Sequence, residues 1–521
     1  MRRLRGARRL RGSRRIRVFR GLVRVPHAAT LNKLPAKGDD VPDLGGVRRS
    51  ILTTALACLA CAAVVLPGCG DAVEKPKSSS LDGLSKLGDP ASPQGRLAET
   101  PVSIAAATRA SVVGALERPA ALRRFFDSLA RLESGQSTED VRIVQFGDSH
   151  TAADMETAVI RRALQGRFGD GGRGFVAIGK PWKGYYQDGV RCGMSNEWSS
   201  ERGHLAKGRF NGDGMYGLAG IGVETRSHGA RAWTDIIAKT ARTEVAYLEQ
   251  PSGGSFDVLV DGVRVVRVST RGPGTTSAFR TFDVSEAAAH QLEVRATGDG
   301  DVRVFGVSLD RAQPGIVFDA LGINGARVTT CLQWNETHWA EQLKHRAPAL
   351  VVLAYGTNES TDEGMPSQTY ERQLVDLLGR VARAVPTASC MLMGPPDRAI
   401  QSSEGMWVTS PKLLEVINSQ RRVAEAAGCA FYNQLEAMGG EGTVAGWASE
   451  DPPRAQKDRV HLTREGYAQL GSSFASDVMR SYAGWRRDAG LPATTAPKSL
   501  DISNAVIIPP GQAPIAPEAT E

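Results

Sequence analysis

The chain predicts an α/β fold, a doubly wound parallel sheet interrupted by an inserted all-β unit. Two observations carry this expectation. Apolar runs of strand length alternate with helical stretches both before residue 200 and after residue 314. Between them, from about 203 to 312, short alternating strands follow one another across Gly turns without a long helix, the pattern of a β-sandwich.

At 521 residues the chain exceeds one ordinary domain. Its formal net charge of +8 is unevenly spread. Residues 1–50 hold 15 Lys/Arg against 3 Asp/Glu, whereas the other 471 hold 49 against 53. The folded part is therefore slightly acidic, and no basic patch interleaved with aromatics follows, which argues against a nucleic-acid partner. The arm at 1–46 sits upstream of a recognisable export signal at 47–69. There Arg48 and Arg49 precede Ile51 to Leu66, sixteen residues without charge, and then Pro67, Gly68 and Cys69. Sixteen is short for a membrane span, which needs about 20, and matches the h-region of a secretory signal. A cysteine closing that region makes Cys69 a candidate for lipidation and anchoring to a membrane, with a plain signal peptide as the alternative. The arm itself reads as absent from the mature protein, with translation starting near Val47; a twin-arginine address is the competing reading.

A Ser/Lys/Pro/Gly-rich linker covers 70–105. The first part of the α/β domain spans 106–202. It opens with a helix over 120–133, whose Leu122, Phe125, Phe126, Leu129 and Leu132 share one face. A strand over 141–146, a turn at Gly147-Asp148-Ser149-His150 and a helix over 152–168 follow. A short apolar segment at 174–178 leads into a loop bearing Trp182, Tyr185 and Tyr186, which could line a cleft or pack between units. In the β insert, 203–312, strands are expected at 243–248, 255–260, 263–268, 291–295 and 301–307, with Asp261-Gly262 as a hairpin turn. The α/β rhythm returns over 313–485. Buried strands are expected at 316–321, 349–355, 389–394 and 430–432, and helices at 367–384, 410–427 and 464–480. The Pro/Ala-rich stretch 486–521 reads as a tail. Cys192, Cys331, Cys390 and Cys429 show no metal-ligand spacing; they leave three possible disulfide pairings, or buried free thiols.

A serine on a tight strand-to-helix turn exposes its hydroxyl to helix amides, the geometry a nucleophile needs. Such a serine requires a base with an orienting acceptor. Of the eight histidines, His461 is the candidate base. It follows Asp458 by three residues on a loop entering a helix, so the carboxylate can hold one ring nitrogen while the other faces out. His150 adjoins the serine, but neighbouring side chains on a turn diverge, which makes it a poor base. His338 and His345 read as surface residues on a polar helix. Donors for a developing oxyanion are sought beyond strand ends, where ligands bind in open α/β sheets. Gly325, after the strand at 316–321, offers its amide; Asn358, after the strand at 349–355, offers its side chain. The alternatives are a plain turn glycine and a helix-capping asparagine.

Ser149, Gly325, Asn358 and His461, in that order and in those settings, resemble the blocks of the SGNH (GDSL-like) hydrolases, and Asp458 with His461 resembles the last block. Gly147-Asp148-Ser149-His150-Thr151, together with the β insert, resembles the bacterial peptidoglycan O-acetylesterases, which carry a carbohydrate-binding-module-like domain at that position. Glu359 departs from the family's usual Asp. The resemblance implies a flavodoxin-like hydrolase domain with Ser149 as nucleophile, His461 as base and Asp458 as its orienter. The oxyanion hole would comprise the Ser149 and Gly325 amides and the Asn358 side chain. It implies no metal and no organic cofactor, and an O-acetylated glycan as substrate. An exported esterase acting on peptidoglycan is the expectation. An O-acetyltransferase on the same triad, or a glycan-binding lipoprotein without activity, are the alternatives.

Overall fold

The computed structural model describes residues 112–202, 212–236, 239–286 and 290–492. The arm at 1–46, the signal with Cys69, the linker at 70–105 and the chain beyond 492 lie outside the described residues, as do His27 and His204.

Five apolar runs form the parallel part of a seven-stranded sheet: Val141–Gly147, Ile316–Gly322, Leu350–Ala354, Ser389–Gly394 and Ala430–Asn433. Numbered one to five along the chain, they lie side by side in the order 2-1-3-4-5, the doubly wound flavodoxin-like arrangement. Two short antiparallel strands, Val112–Val113 and Leu116–Glu117, extend the sheet beyond Ala430–Asn433. Successive side chains of a strand point to opposite faces, and the two cores show it. Val144, Phe146, Val351, Leu353, Leu392 and Phe431 join one hydrophobic cluster with helices Ser367–Ala384 and Pro411–Ala427. Ile143, Leu350, Val352, Met391, Met393 and Tyr432 join the other, with helices Arg123–Glu133, Glu156–Phe168 and Arg464–Asp488. Strands covered on both faces read as continuous apolar runs, which is why they were legible.

The first predicted helix is split: a 3-10 turn at Pro119–Leu122 precedes Arg123–Glu133. The second is split too, because Asp154 takes a positive φ of 44° between Ser149–Ala152 and Glu156–Phe168. The last helix runs to Asp488, so the tail begins later than residue 486.

Between the first two parallel strands lie a five-stranded and a six-stranded antiparallel sheet, which share one hydrophobic cluster. Their strands begin upstream of 203. Gly172–Val176 pairs with Val302–Asp310, and Val190–Met194 and Ser199–Arg202 edge the two sheets. Gly172–Val176 is buried along its length, so its apolar pattern looks like a strand of the parallel sheet. Three further strands escaped the sequence reading: Ile221–Thr225, Arg231–Ile236 and Thr276–Asp283. The six-stranded sheet is buried on its second face as well. Val245 and Tyr247 enter the cluster shared with the five-stranded sheet, whereas the alternate residues Ala246 and Leu248 enter the cluster of the α/β core. Phe305 does the same beside Trp334 and Trp339.

Cys390 and Cys429 form a disulfide between neighbouring strand starts, and Cys192 and Cys331 are free thiols. His338, expected at the surface, is 3% exposed. It lies on helix Glu336–Arg346, where its Nε2 accepts from the Gly217 amide and its Nδ1 meets the Ser277 hydroxyl. Both partners come from the antiparallel region, so nothing near His338 in sequence announces its burial.

Candidate functional site

In a 2-1-3-4-5 sheet the crevice opens at the carboxyl ends of strands one and three. Here those strands are Val141–Gly147 and Leu350–Ala354, which are hydrogen-bonded neighbours. The first strand ends on glycine for a steric reason: a Cβ at Gly147 would collide with the Thr151 side chain. Asp148 then caps the short helix Ser149–Ala152, its Oδ1 accepting from the His150 amide at 3.0 Å. On the other side Gly322 lets this helix lie against the second strand, because a Cβ there would strike the Ala152 backbone.

Ser149 thus stands at the first turn of a helix above the sheet, and its Oγ is 2.9 Å from His461 Nε2. His461 Nδ1 lies 2.7 Å from Asp458 Oδ2. The other oxygen, Asp458 Oδ1, accepts from the Val460 and His461 amides at 3.0 Å each, fixing the carboxylate against its own loop. Burial works to raise the Asp458 pKa, but the hydrogen bonds from the His461 side chain and the Val460 amide overcome it. The carboxyl is held below its ordinary value, in the charged form that an imidazolium requires. A hydroxyl, an imidazole and a carboxylate in this sequence of contacts can pass a proton from the hydroxyl to the imidazole while the carboxylate holds the ring.

The two expected oxyanion donors come from adjoining loops. Gly325 sits in the turn after strand Ile316–Gly322 with φ 75°, where the Ala326 amide bonds back to the Ile323 carbonyl. Asn358 makes no capping bond to the 3-10 turn that follows it; instead its Nδ2 donates to the Ala326 carbonyl at 3.0 Å, tying the two loops together.

Several residues around the site take buried positions that the sequence did not show. His150 is buried, with Nδ1 2.9 Å from the Tyr467 hydroxyl and its ring 5.4 Å from that of His461. Burial, and then the neighbouring His461, push its pKa down to about 3, so it stays neutral beside the other imidazole. Glu359 is 1% exposed and joins both oxyanion loops: Oε1 accepts from the Val328 amide and Oε2 from the Gly356 amide. Burial pushes it up to about 7. Asp148 and Glu156, also buried, are pushed up to about 6 and about 7 for the same reason. Trp182 and Tyr185 meet each other edge to face and, partly buried, pack against the larger core cluster, and the Tyr185 hydroxyl accepts from the Ala177 amide.

Residues 270–469 match the GDSL-like lipase/acylhydrolase family, a span that includes Gly325, Asn358, Asp458 and His461 but not Ser149. Among solved structures the chain is similar to a peptidoglycan O-acetylesterase, at 27% identity over 69% of this chain and 96% of that one, with a TM-score of 0.58. A family two carbohydrate esterase from Clostridium thermocellum in complex with cellohexaose is 13% identical over 51% of this chain and 95% of its own, with a TM-score of 0.23. A salicylyl-acyltransferase from a tetracycline biosynthetic pathway is 12% identical over 57% and 98%, with a TM-score of 0.26. These last two superpose too loosely to support an argument. No curated protein matches the chain. Residues 270–469 thus match the GDSL-like lipase/acylhydrolase model, and the chain is similar in structure to a peptidoglycan O-acetylesterase.

Proposed function

We propose that this protein is an exported serine esterase that removes O-acetyl groups from a cell-envelope polysaccharide, with peptidoglycan as the polymer. The observation that carries the reading is the chain of contacts Ser149 Oγ to His461 Nε2 to Asp458, at 2.9 and 2.7 Å. In the first step His461 takes the Ser149 proton as Oγ bonds to the acetyl carbon. The bond from that carbon to the sugar oxygen then breaks, and the sugar oxygen receives the proton from His461. In the second step water gives a proton to His461 as its oxygen bonds to the acetyl carbon; the bond from that carbon to Ser149 Oγ then breaks, Oγ takes the proton back from His461, and acetate leaves. The Ser149 and Gly325 amides and the Asn358 side chain hold the oxyanion in both steps. An amide nitrogen has two protons; with one on the Ala326 carbonyl, Asn358 keeps the other for this role.

Export is supported by the sequence at 47–69 and by the Cys390–Cys429 disulfide, a bond that persists in oxidising compartments. In this reading Cys69 carries the lipid anchor, and the two antiparallel sheets form an inserted sandwich that binds glycan. The likeness to a peptidoglycan O-acetylesterase supports the polymer.

Acetate release from O-acetylated peptidoglycan tests the reading. The wild-type protein should release acetate, and Ser149→Ala should lower the rate by about 10³-fold or more. Equal rates would remove Ser149 from the reaction. Acetyl groups appearing on an added unacetylated glycan, instead of free acetate, would make the enzyme a transferase.

A further inference from the structure

Residues 397–410 form a small element of their own beside the site. Among the described residues, strands Ala399–Gln401 and Trp407–Thr409 pair only with each other, closed by a turn in which the Ser402 amide donates to the Met406 carbonyl. The base of this hairpin is rigidly seated. Buried Asp397 accepts from the Thr409 hydroxyl at 2.7 Å and from the Val444 amide at 2.9 Å. From that seat the hairpin reaches both sides of the site. Arg398 donates to the carbonyl of Ser360, two residues past Asn358, and the Ala399 amide donates to the carbonyl of Arg459 at 3.1 Å.

Arg459 lies between Asp458 and His461 and holds a left-handed backbone, φ 55°, that a non-glycine residue adopts only against a cost. Two things keep it there. One is that Ala399 bond together with the Arg459 amide's bond to the Gln456 carbonyl. The other is its side chain, which curls back to donate to the Lys457 carbonyl at 2.7 Å and lays its guanidinium 3.9 Å from the centre of the Trp407 ring. An Arg over an indole face is an attractive cation–π contact. Trp407 is 38% exposed and contributes nothing to the core, so packing of the fold gives no account of an indole there.

We propose that Trp407 is a positioning residue for the esterase reaction: through the Arg459 guanidinium, the hairpin at 399–409 holds the loop that aims His461 at Ser149. The inference rests on the esterase reading. It gives the left-handed residue inside the triad loop a role: the turn at Arg459 sits between Asp458 and His461, whose side chains meet at 2.7 Å, and the hairpin holds that turn.

The test compares wild type, Trp407→Ala, Trp407→Phe and Arg459→Gly on a chromogenic acetate ester, too small to touch the hairpin's outer surface. In parallel, proton NMR follows the downfield resonance of the His461 Nδ1 proton shared with Asp458. Trp407→Ala should lower kcat about ten-fold with KM unchanged, since a small misplacement of a catalytic group costs up to about a hundred-fold. It should also broaden or shift the shared-proton resonance. Trp407→Phe, which keeps an aromatic face, should recover most of the rate. Arg459→Gly accepts the left-handed backbone without strain, so its loss of rate would be due to the guanidinium and should match that of Trp407→Ala. An unchanged kcat and an unchanged resonance in Trp407→Ala would overturn the proposal. So would a loss confined to KM on polymeric peptidoglycan, which would make the hairpin a polymer-contacting wall. If wild type and Ser149→Ala hydrolyse the ester equally while the resonance still responds to Trp407→Ala, the esterase reading fails and the positioning contact stands.

Discussion

Glu156 shows at a single residue how burial ties charge to pH. Its carboxyl is 3% exposed, receives one hydrogen bond from Gln434 at 2.7 Å, and is pushed up to about 7 by burial. Between its ordinary value and about 7 the folded state holds a proton that the unfolded state has released. The Glu156 contribution to stability is therefore complete at low pH and is lost as pH rises through about 7. Glu359 and Asp148, pushed up to about 7 and about 6, act in the same direction. Chemical unfolding at pH 5 and pH 8 should accordingly show less stability at pH 8. Glu156→Gln should be the more stable protein at pH 8 by on the order of 2 kcal/mol and should show a flatter pH dependence. A wild-type protein equally stable at both pH values would disprove this. Asp458 has the opposite sign: its lowered pKa contributes stability above the usual carboxylate range that is lost in acid. Much of the site was visible in the sequence because its chemistry is local. Asp458 and His461 are three residues apart, and Ser149 opens the helix two residues past the end of its strand. The buried settings of Glu359, His150 and Tyr467 were not legible, since each depends on partners from other parts of the chain.

Among the elements, the parallel strands, buried on both faces, were readable as apolar runs, and the exposed Val263–Ser269 was readable from its alternating valines, whereas the exposed Thr276–Asp283 was not. Thr276–Asp283 has no buried residue and pairs on one edge only, so its pattern carries little hydrophobic signal. The disulfide is likewise a property of paired elements. Cys390 and Cys429 are 39 residues apart in sequence and meet because their strands are parallel neighbours in the sheet. Closing a loop of that length constrains the unfolded chain, so Cys390→Ser should lower stability by about 3–4 kcal/mol. The loss should show as a lower denaturant midpoint, and reductant should produce the same shift in wild type but none in the variant. Equal midpoints with and without reductant would mean that the bond does not form in solution.

At the scale of the whole molecule, the antiparallel sheets and the α/β core share apolar surface. Ala246, Leu248 and Phe305 from the sheets lie in one cluster with Trp334, Trp339 and Leu377 from the core. A unit joined in this way is not expected to unfold by itself. Calorimetry of residues 112–492 should show one cooperative transition, and the isolated segment 172–310 should expose its shared face and self-associate. Two separated transitions would show the sheets to be an independent domain. The sequence alone determined the five strands and the long helices of the α/β core, where the Ser149 turn lies, and that Asp458 stands beside His461. These follow from side-chain period and backbone chemistry within a few residues. Only the tertiary structure decided the 2-1-3-4-5 order, the cysteine pairing, the burial of His338, and the approach of Ser149 to His461 across 312 residues. Those depend on which apolar faces cover one another, a choice made by packing over the whole chain that no short stretch of sequence records.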